Sequence, residues 1–217
     1  MKKNISTLFV FLVAVSSIYA QDESSIKPEA KNWTAEVNLN PFSSSPVNIR
    51  YLRFRHFTSD NKAFRMGISF DYQSDKPADD EKVSATFVNL RPGFEKHFKG
   101  TERLSPYYGV DLDIAFKTSK GEFGDDNVTT VKGAWSNSGV ERGFTRLGAN
   151  LIFGADYYFA KRFYVGTEFG FGFENIKDAD IEVDFPGNQT NPEAIKGGSS
   201  FRIGPNFNSS IRLGFVF

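Results

Sequence analysis

Cysteine is absent from the 217 residues, and only two histidines and two methionines occur. Without cysteine there is no disulfide framework, no thiolate metal site, no cysteine nucleophile and no lipidated N-terminal cysteine. With His56 and His97 alone, metal centres and histidine-base chemistry have few candidates. Charge of one sign is missing too. Lysine plus arginine equals aspartate plus glutamate at 26 each, which removes any general pull toward nucleic acid. No later apolar run approaches the ~18 residues of a membrane helix. Phenylalanine and glycine are plentiful instead, at 24 and 19 residues. That mix opposes a helical protein and favours strands.

The first segment reads as an address. Lys2 and Lys3 form a positive start, and Leu8 to Val15 is an apolar run too short to span a bilayer. Ser16, Ser17 and Ala20 offer small residues for cleavage. This is the pattern of a secretory signal peptide over 1–20, cut between Ala20 and Gln21. Residues 21–31 are polar and read as a flexible periplasmic leader. A barrel domain then occupies 32–217.

That domain alternates with period two, the signature of strands. Phe163, Val165, Thr167, Phe169, Phe171 and Phe173 oppose Tyr164, Gly166, Glu168, Gly170 and Gly172. The same contrast sets Tyr108, Val110, Leu112, Ile114 and Phe116 against Gly109, Asp111 and Asp113. The pattern predicts eight strands near 32–40, 47–57, 63–73, 83–98, 105–118, 143–159, 162–175 and 201–217. In 47–57, Asn48 and Arg50 share a parity with Leu52 and Phe54, so a bulge or a polar end is expected. Several run about ten residues or more, long for a soluble sheet and right for a tilted membrane strand of about 9–11 residues.

Connections alternate in length. Residues 58–62, 99–104 and 160–162 make short links. On the other side lie 74–82, 119–142 and 176–200, with Pro41 to Pro46 as the one short member. Short turns on one rim and long polar loops on the other predict an all-β, eight-stranded antiparallel up-and-down transmembrane barrel. An even strand count puts both termini on the short-turn, periplasmic side.

One strand face carries charges of both signs: Glu36, Arg65, Asp71, Arg91, Glu95, Asp111, Asp113, Arg146, Asp156, Glu168 and Arg212. The other is Phe, Leu, Ile, Val and Ala. A membrane barrel turns its apolar face to lipid and its polar face to the lumen. An eight-stranded lumen is just wide enough for side chains to fill it. Charges there must pair, so a network of arginines and carboxylates that closes the tube is expected.

The ending Ile211-Arg212-Leu213-Gly214-Phe215-Val216-Phe217 resembles the C-terminal signal of outer-membrane barrels, with Ile211, Leu213, Phe215 and Phe217 as its apolar members. The stretch Leu90-Arg91-Pro92-Gly93-Phe94-Glu95 and, beyond a tight turn, Ser105-Pro106-Tyr107-Tyr108-Gly109 resemble the small outer-membrane barrel family common in Bacteroidota. The layout is similar to that of OmpA/OmpX-like barrels. The resemblance implies an outer-membrane location, with membrane lipid, lipopolysaccharide and the barrel-assembly machinery as partners. It implies almost nothing about activity.

Function is therefore expected in the loops: a structural, surface-interaction or accessory role, with a larger complex or an extracellular ligand left open. A narrow conduit is the alternative, and a soluble secreted ligand-binding barrel the second alternative. No catalytic residue, cofactor, metal ion or nucleic-acid partner is expected. A lipid-modifying enzyme would need a Ser or Asp near a His toward the outer leaflet, whereas His56 and His97 fall near the periplasmic rim. Loops 74–82 and 176–200 are net acidic and read as solvated charge, since no Asp-x-Asp-x-Asp-Gly run is present. Trp135 is either a binding aromatic or a residue packed on the rim.

Overall fold

The computed structural model describes residues 25–39, 47–125, 127–187 and 189–217. The signal segment 1–20 and the short connection 41–46 lie outside them.

Ten strands follow in chain order: β1 (Trp33–Leu39), β2 (Val47–Ser59), β3 (Lys62–Asp75), β4 (Glu81–His97), β5 (Leu104–Phe123), β6 (Thr129–Lys132), β7 (Phe144–Ala160), β8 (Phe163–Asp178), β9 (Glu182–Asp184) and β10 (Ser199–Val216). Eight of them close a ring, in the order β1-β2-β3-β4-β5-β7-β8-β10 and back to β1, every pair antiparallel. The seam is tied by reciprocal bonds between Trp33 and Phe217, at 2.9 and 2.8 Å. Closure removes the unpaired edges an open sheet would expose. The expected eight-stranded up-and-down barrel is the fold of this chain.

Two features depart from the expected strands. β2 carries a register jump: Val37 pairs with Leu52, but the next residue, Asn38, pairs with Asn48. This bulge is why the parity of 47–57 switches part-way. The other departure is β6 and β9. They lie in the two long loops and extend the sheet outward from the upper end of β5, in the order β5-β6-β9.

The leader expected to be flexible is, from Ser25 on, folded across the short-turn end of the ring. Pro28 is buried, and Ile26 packs against Tyr158, Tyr164 and Val216. Lys27 Nζ donates to the carbonyl of Lys99 at 2.7 Å, and the Ala30 amide donates to Asp60 at 3.0 Å. An apolar anchor with two polar ties to the ring outweighs the polarity of the segment.

Polarity is inverted in the lower and middle ring. Phe94 is 62% exposed and Ile203 64%, while Arg55 and Arg65 are fully buried. The inversion stops at a definite height. Along β5 the outward residues Tyr108, Val110, Leu112 and Phe116 are exposed and apolar, and the next ones, Thr118, Lys120 and Glu122, are polar. β4 changes between Val88 and Thr86, β8 between Phe173 and Asn175. Val88 pairs with Phe116 and Thr86 with Thr118, so the boundary runs across neighbouring strands at one level. At the opposite rim Trp33 stacks on His56 at 4.5 Å, Phe98 faces Tyr108 at 5.4 Å, and Phe163 faces Phe215 at 5.0 Å. An apolar band edged by aromatics is the exterior of a membrane barrel.

Candidate functional site: a closed ionic lumen and a folded cap

The lower lumen is built by β1, β2, β3, β4, β5, β7, β8 and β10, each sending one or two inward residues to the axis. Arg53, Arg55, Arg65 and Arg212 meet Glu36, Glu95, Asp111, Asp156 and Glu168, all less than a tenth exposed. Arg55 binds three carboxylates at once: Glu36 at 2.6 Å, Asp156 at 2.7 Å and Glu95 at 3.0 Å. Arg65 bridges Glu95 and Glu168, at 2.8 Å each. Arg212 joins Glu36 at 2.7 Å to Asp156 at 3.2 Å. Glu168 accepts from Arg53 at 3.1 Å and from the Tyr107 hydroxyl at 2.7 Å. Tyr164 donates to Glu36 at 2.9 Å. The forked guanidinium suits such multidentate pairing, which lysine could not provide.

Glycine makes the room. Tyr107 pairs across the ladder with Gly154, and Tyr164 with Gly214. A methyl group built at either glycine would overlap the tyrosine ring. The rings therefore lie flat over bare backbone, and the Arg55 guanidinium sits 5.1 Å from the centre of the Tyr164 ring. Cationic and aromatic groups stack across the tube.

The structure brings Glu36, Arg65, Glu95, Asp111, Asp156, Glu168 and Arg212 into this one cluster. Arg91, Asp113 and Arg146 sit a layer higher; Asp113 is buried, and the two arginines are only partly enclosed. Arg91 meets Asp111 at 3.4 Å and Arg146 meets Asp113 at 3.3 Å. Asp71 corrects the expectation for the lumen: it is exposed, on the part of β3 that rises past the enclosed layers, opposite Phe87 of β4. Arg53 and Arg55 are central to the network, yet the sequence reading missed them. The signal was their shared parity with Tyr51 and Phe57, hidden by the bulge before Leu52.

His97 is bonded through Nδ1 to Ser105 at 2.9 Å and through Nε2 to Glu95 at 3.3 Å. A serine, a histidine and a glutamate in one chain of contacts is the vocabulary of a hydrolase. Here all three are at most 5% exposed, and Glu95 is already held by two arginines. Without access for a substrate, the trio ties β4 to β5. His56 stacks on Trp33 outside the lumen.

Ile211, Leu213, Phe215 and Phe217 line the outer face of the last strand. Ile211 and Phe217 are exposed, and Leu213 and Phe215 half-buried.

Above the band, the long loops form a cap. Val131, Ala134 and Ile181 make a small core, with Phe123 and Val183 packed on it. Arg142 pins both loops, donating from Nε to the Ala179 carbonyl at 2.8 Å and from Nη2 to the Ile195 carbonyl at 3.1 Å. Trp135 packs down on the rim, with Nε1 donating to the Ser84 carbonyl at 2.9 Å. Gly133 adopts φ 83° beside the Asp180 carbonyl, where no side chain fits. Asp180 accepts from the Gly197 amide at 2.9 Å and pairs with Lys196 at 2.9 Å. The Gly197 amide, then the Lys196 ammonium, hold the Asp180 carboxyl below its ordinary value of 3.8. Among the described residues no group of three or more acids and histidines is arranged to hold a metal ion.

No protein-family model and no curated protein matches the chain. Solved structures with a similar course include the outer membrane protein OprG of Pseudomonas aeruginosa, at 11% identity and TM-score 0.48, spanning 89% of this chain and 99% of that one. The N-terminal β-barrel domain of Pseudomonas aeruginosa OprF gives 14% and 0.36 over 88% of this chain and all of that one. Acinetobacter baumannii CarO2 gives 10% and 0.33 over 88% and 100%.

Proposed function

We propose that the chain is an integral barrel of the bacterial outer membrane with a lumen closed to solutes and a folded extracellular cap as its working surface. Residues 1–20 direct export, and the C-terminal stripe Ile211, Leu213, Phe215 and Phe217 addresses the barrel-assembly machinery. The observation that carries this reading is the inverted polarity of the ring, with phenylalanines outside and paired arginines and carboxylates on the axis. Water would reverse that arrangement, which counts against a soluble secreted barrel. The band rests in lipid, and lipopolysaccharide surrounds the cap. No enzymatic role is assigned.

The narrow-conduit reading has one observation in its favour. A hollow of about 350 Å³ is lined by Asp113, Asn150, Glu174 and Arg202 together with Phe173, Ile203 and Pro205. It reaches Asn150, which donates to Asp111 at 2.9 Å, and Arg65 and Asp111 are fully enclosed, so solute passage would require that layer to part.

Purification from outer membranes in mild detergent and reconstitution in planar bilayers test the proposal. The expected outcome is a heat-modifiable band on gels and no large, stable conductance. A chain soluble without detergent would overturn the membrane assignment, and steady open-channel current would overturn the closed lumen.

A further inference from the structure

The cap holds a second cavity, apart from the lumen, of about 530 Å³. Its apolar lining is Phe123, Val131, Ile181, Val183, Phe185, Pro192 and Ile195, and its polar lining Thr129, Ser136, Asn137 and Glu193. The volume lies in the range of small-molecule sites. Three observations set it apart from an incidental loop crevice.

The walls are fixed before any ligand arrives. Ile181 and Ile195 exchange two backbone bonds of 2.9 Å each. Asn191 accepts from the Phe185 amide at 2.8 Å and donates to Asp184 at 3.0 Å. Preorganised walls spare a ligand the entropy of ordering them. Secondly, Phe185 is 38% exposed and Ile195 48%, and both stand beyond the apolar band on the open side of this cavity's lining. An apolar surface left open there marks a contact site. Thirdly, the charge of the lining has one sign. Two nearby acids are matched: Asp184 pairs with Lys132 at 2.7 Å and Asp180 with Lys196 at 2.9 Å. Among the described residues Glu193 makes no ion pair and is the only charged residue of the lining.

We propose that this cavity binds a small amphiphilic cation, with its apolar body between Phe123, Val183 and Ile195 and its ammonium or guanidinium group at Glu193. The inference goes beyond the closed-barrel reading and does not depend on it, because the cavity stands outside the apolar band.

The test uses the full chain, methyl-labelled, folded in detergent micelles and titrated with 2-phenylethylammonium, 2-phenylethanol and 3-phenylpropionate. Saturable shifts at the Val131, Ile181 and Val183 methyls are expected for the ammonium, with a Kd of about 0.1–2 mM for a ligand this small. The alcohol should bind more weakly and the carboxylate weakest. Glu193→Gln should weaken the ammonium about two- to fivefold, as befits an exposed pair, and leave the alcohol unchanged. Ile195→Arg, at an exposed position, should abolish binding of both. Absence of saturable shifts below ~20 mM, equal binding of carboxylate and ammonium, or retained binding in Ile195→Arg would each overturn the proposal. So would shifts confined to band methyls such as those of Leu112 and Leu151, which would report partition into the micelle. Heat-dependent gel mobility read on the same samples reports the membrane-barrel assignment separately.

Discussion

The lumen and the cap are two interiors in one chain, ordered by opposite rules. In the lumen the enclosed groups are ionic and the exposed ones apolar. In the cap Val131, Ala134 and Ile181 are enclosed, and lysines and carboxylates face out. β5 belongs to both. Its inward face passes from Asp111 and Asp113 through Ala115 to Gly121 and Phe123, while its outward face passes from Phe116 to Thr118. Nothing in the backbone changes at that point, since the strand runs unbroken from Leu104 to Phe123. Only the solvent outside changes. The difference teaches that the side-chain pattern records the dielectric around each segment, and that the place where it flips marks the membrane boundary.

The sharpest way to break the contrast is to strip a charge from the lumen. Arg55→Leu would leave Glu36, Glu95 and Asp156 short of a partner in a buried site. We expect a loss of about 3–5 kcal/mol, read as a lowered urea midpoint for the folded barrel. The second test moves one charge along one face. Leu112→Arg, within the apolar band, should cost about 2–4 kcal/mol in lipid vesicles, whereas Thr118→Arg, just above the boundary, should change the unfolding midpoint little. Equal costs would erase the boundary drawn here. Thirdly, Ile181→Ala should cost about 2 kcal/mol or more within the cap core. Limited proteolysis should then nick residues 179–198 faster, while the heat-shifted mobility of the barrel persists. Simultaneous loss of both would make lumen and cap a single cooperative unit.

The smallest effect concerns pH. The folded Asp180 carboxyl titrates below its ordinary 3.8, so its contribution is present above that value and is lost as pH falls through the lowered one. Protection of the Gly197 amide, its exchange rate set against the intrinsic rate at each pH, should therefore fall on acidification below pH 3.8. Asp180→Asn should remove that acid step.

Much of the barrel was legible in the sequence. Strand number, the alternation of short and long connections and the charged face all follow from period two, because a strand cannot hide its faces. Of the lumen network, Asp111, Asp156 and Glu168 were readable from parity alone. Arg53 and Arg55 were not, because the mixed parity of 47–57 signals a bulge or a polar end without saying which residues it turns inward. Asp71 was misplaced for a different reason: parity gives the face but not the height, and β3 rises past the enclosed layers before reaching it. β6 and β9 were also missed, although Ile181, Val183 and Phe185 alternate with Glu182 and Asp184. Three to five residues of alternation are too few to stand out from loop composition. The folding of Ser25 to Asn32 onto the ring was invisible too, since it depends on where Asp60, Phe57 and Lys99 arrive in space.

By itself the sequence determined the element type, the two faces and the ring, since backbone pleat and burial act locally on every second residue. Only the tertiary structure decided which arginine meets which carboxylate, which strands reach past the band, and how two loops distant in sequence share one core. Those outcomes depend on register and on strand tilt, which are properties of closure and belong to no single segment.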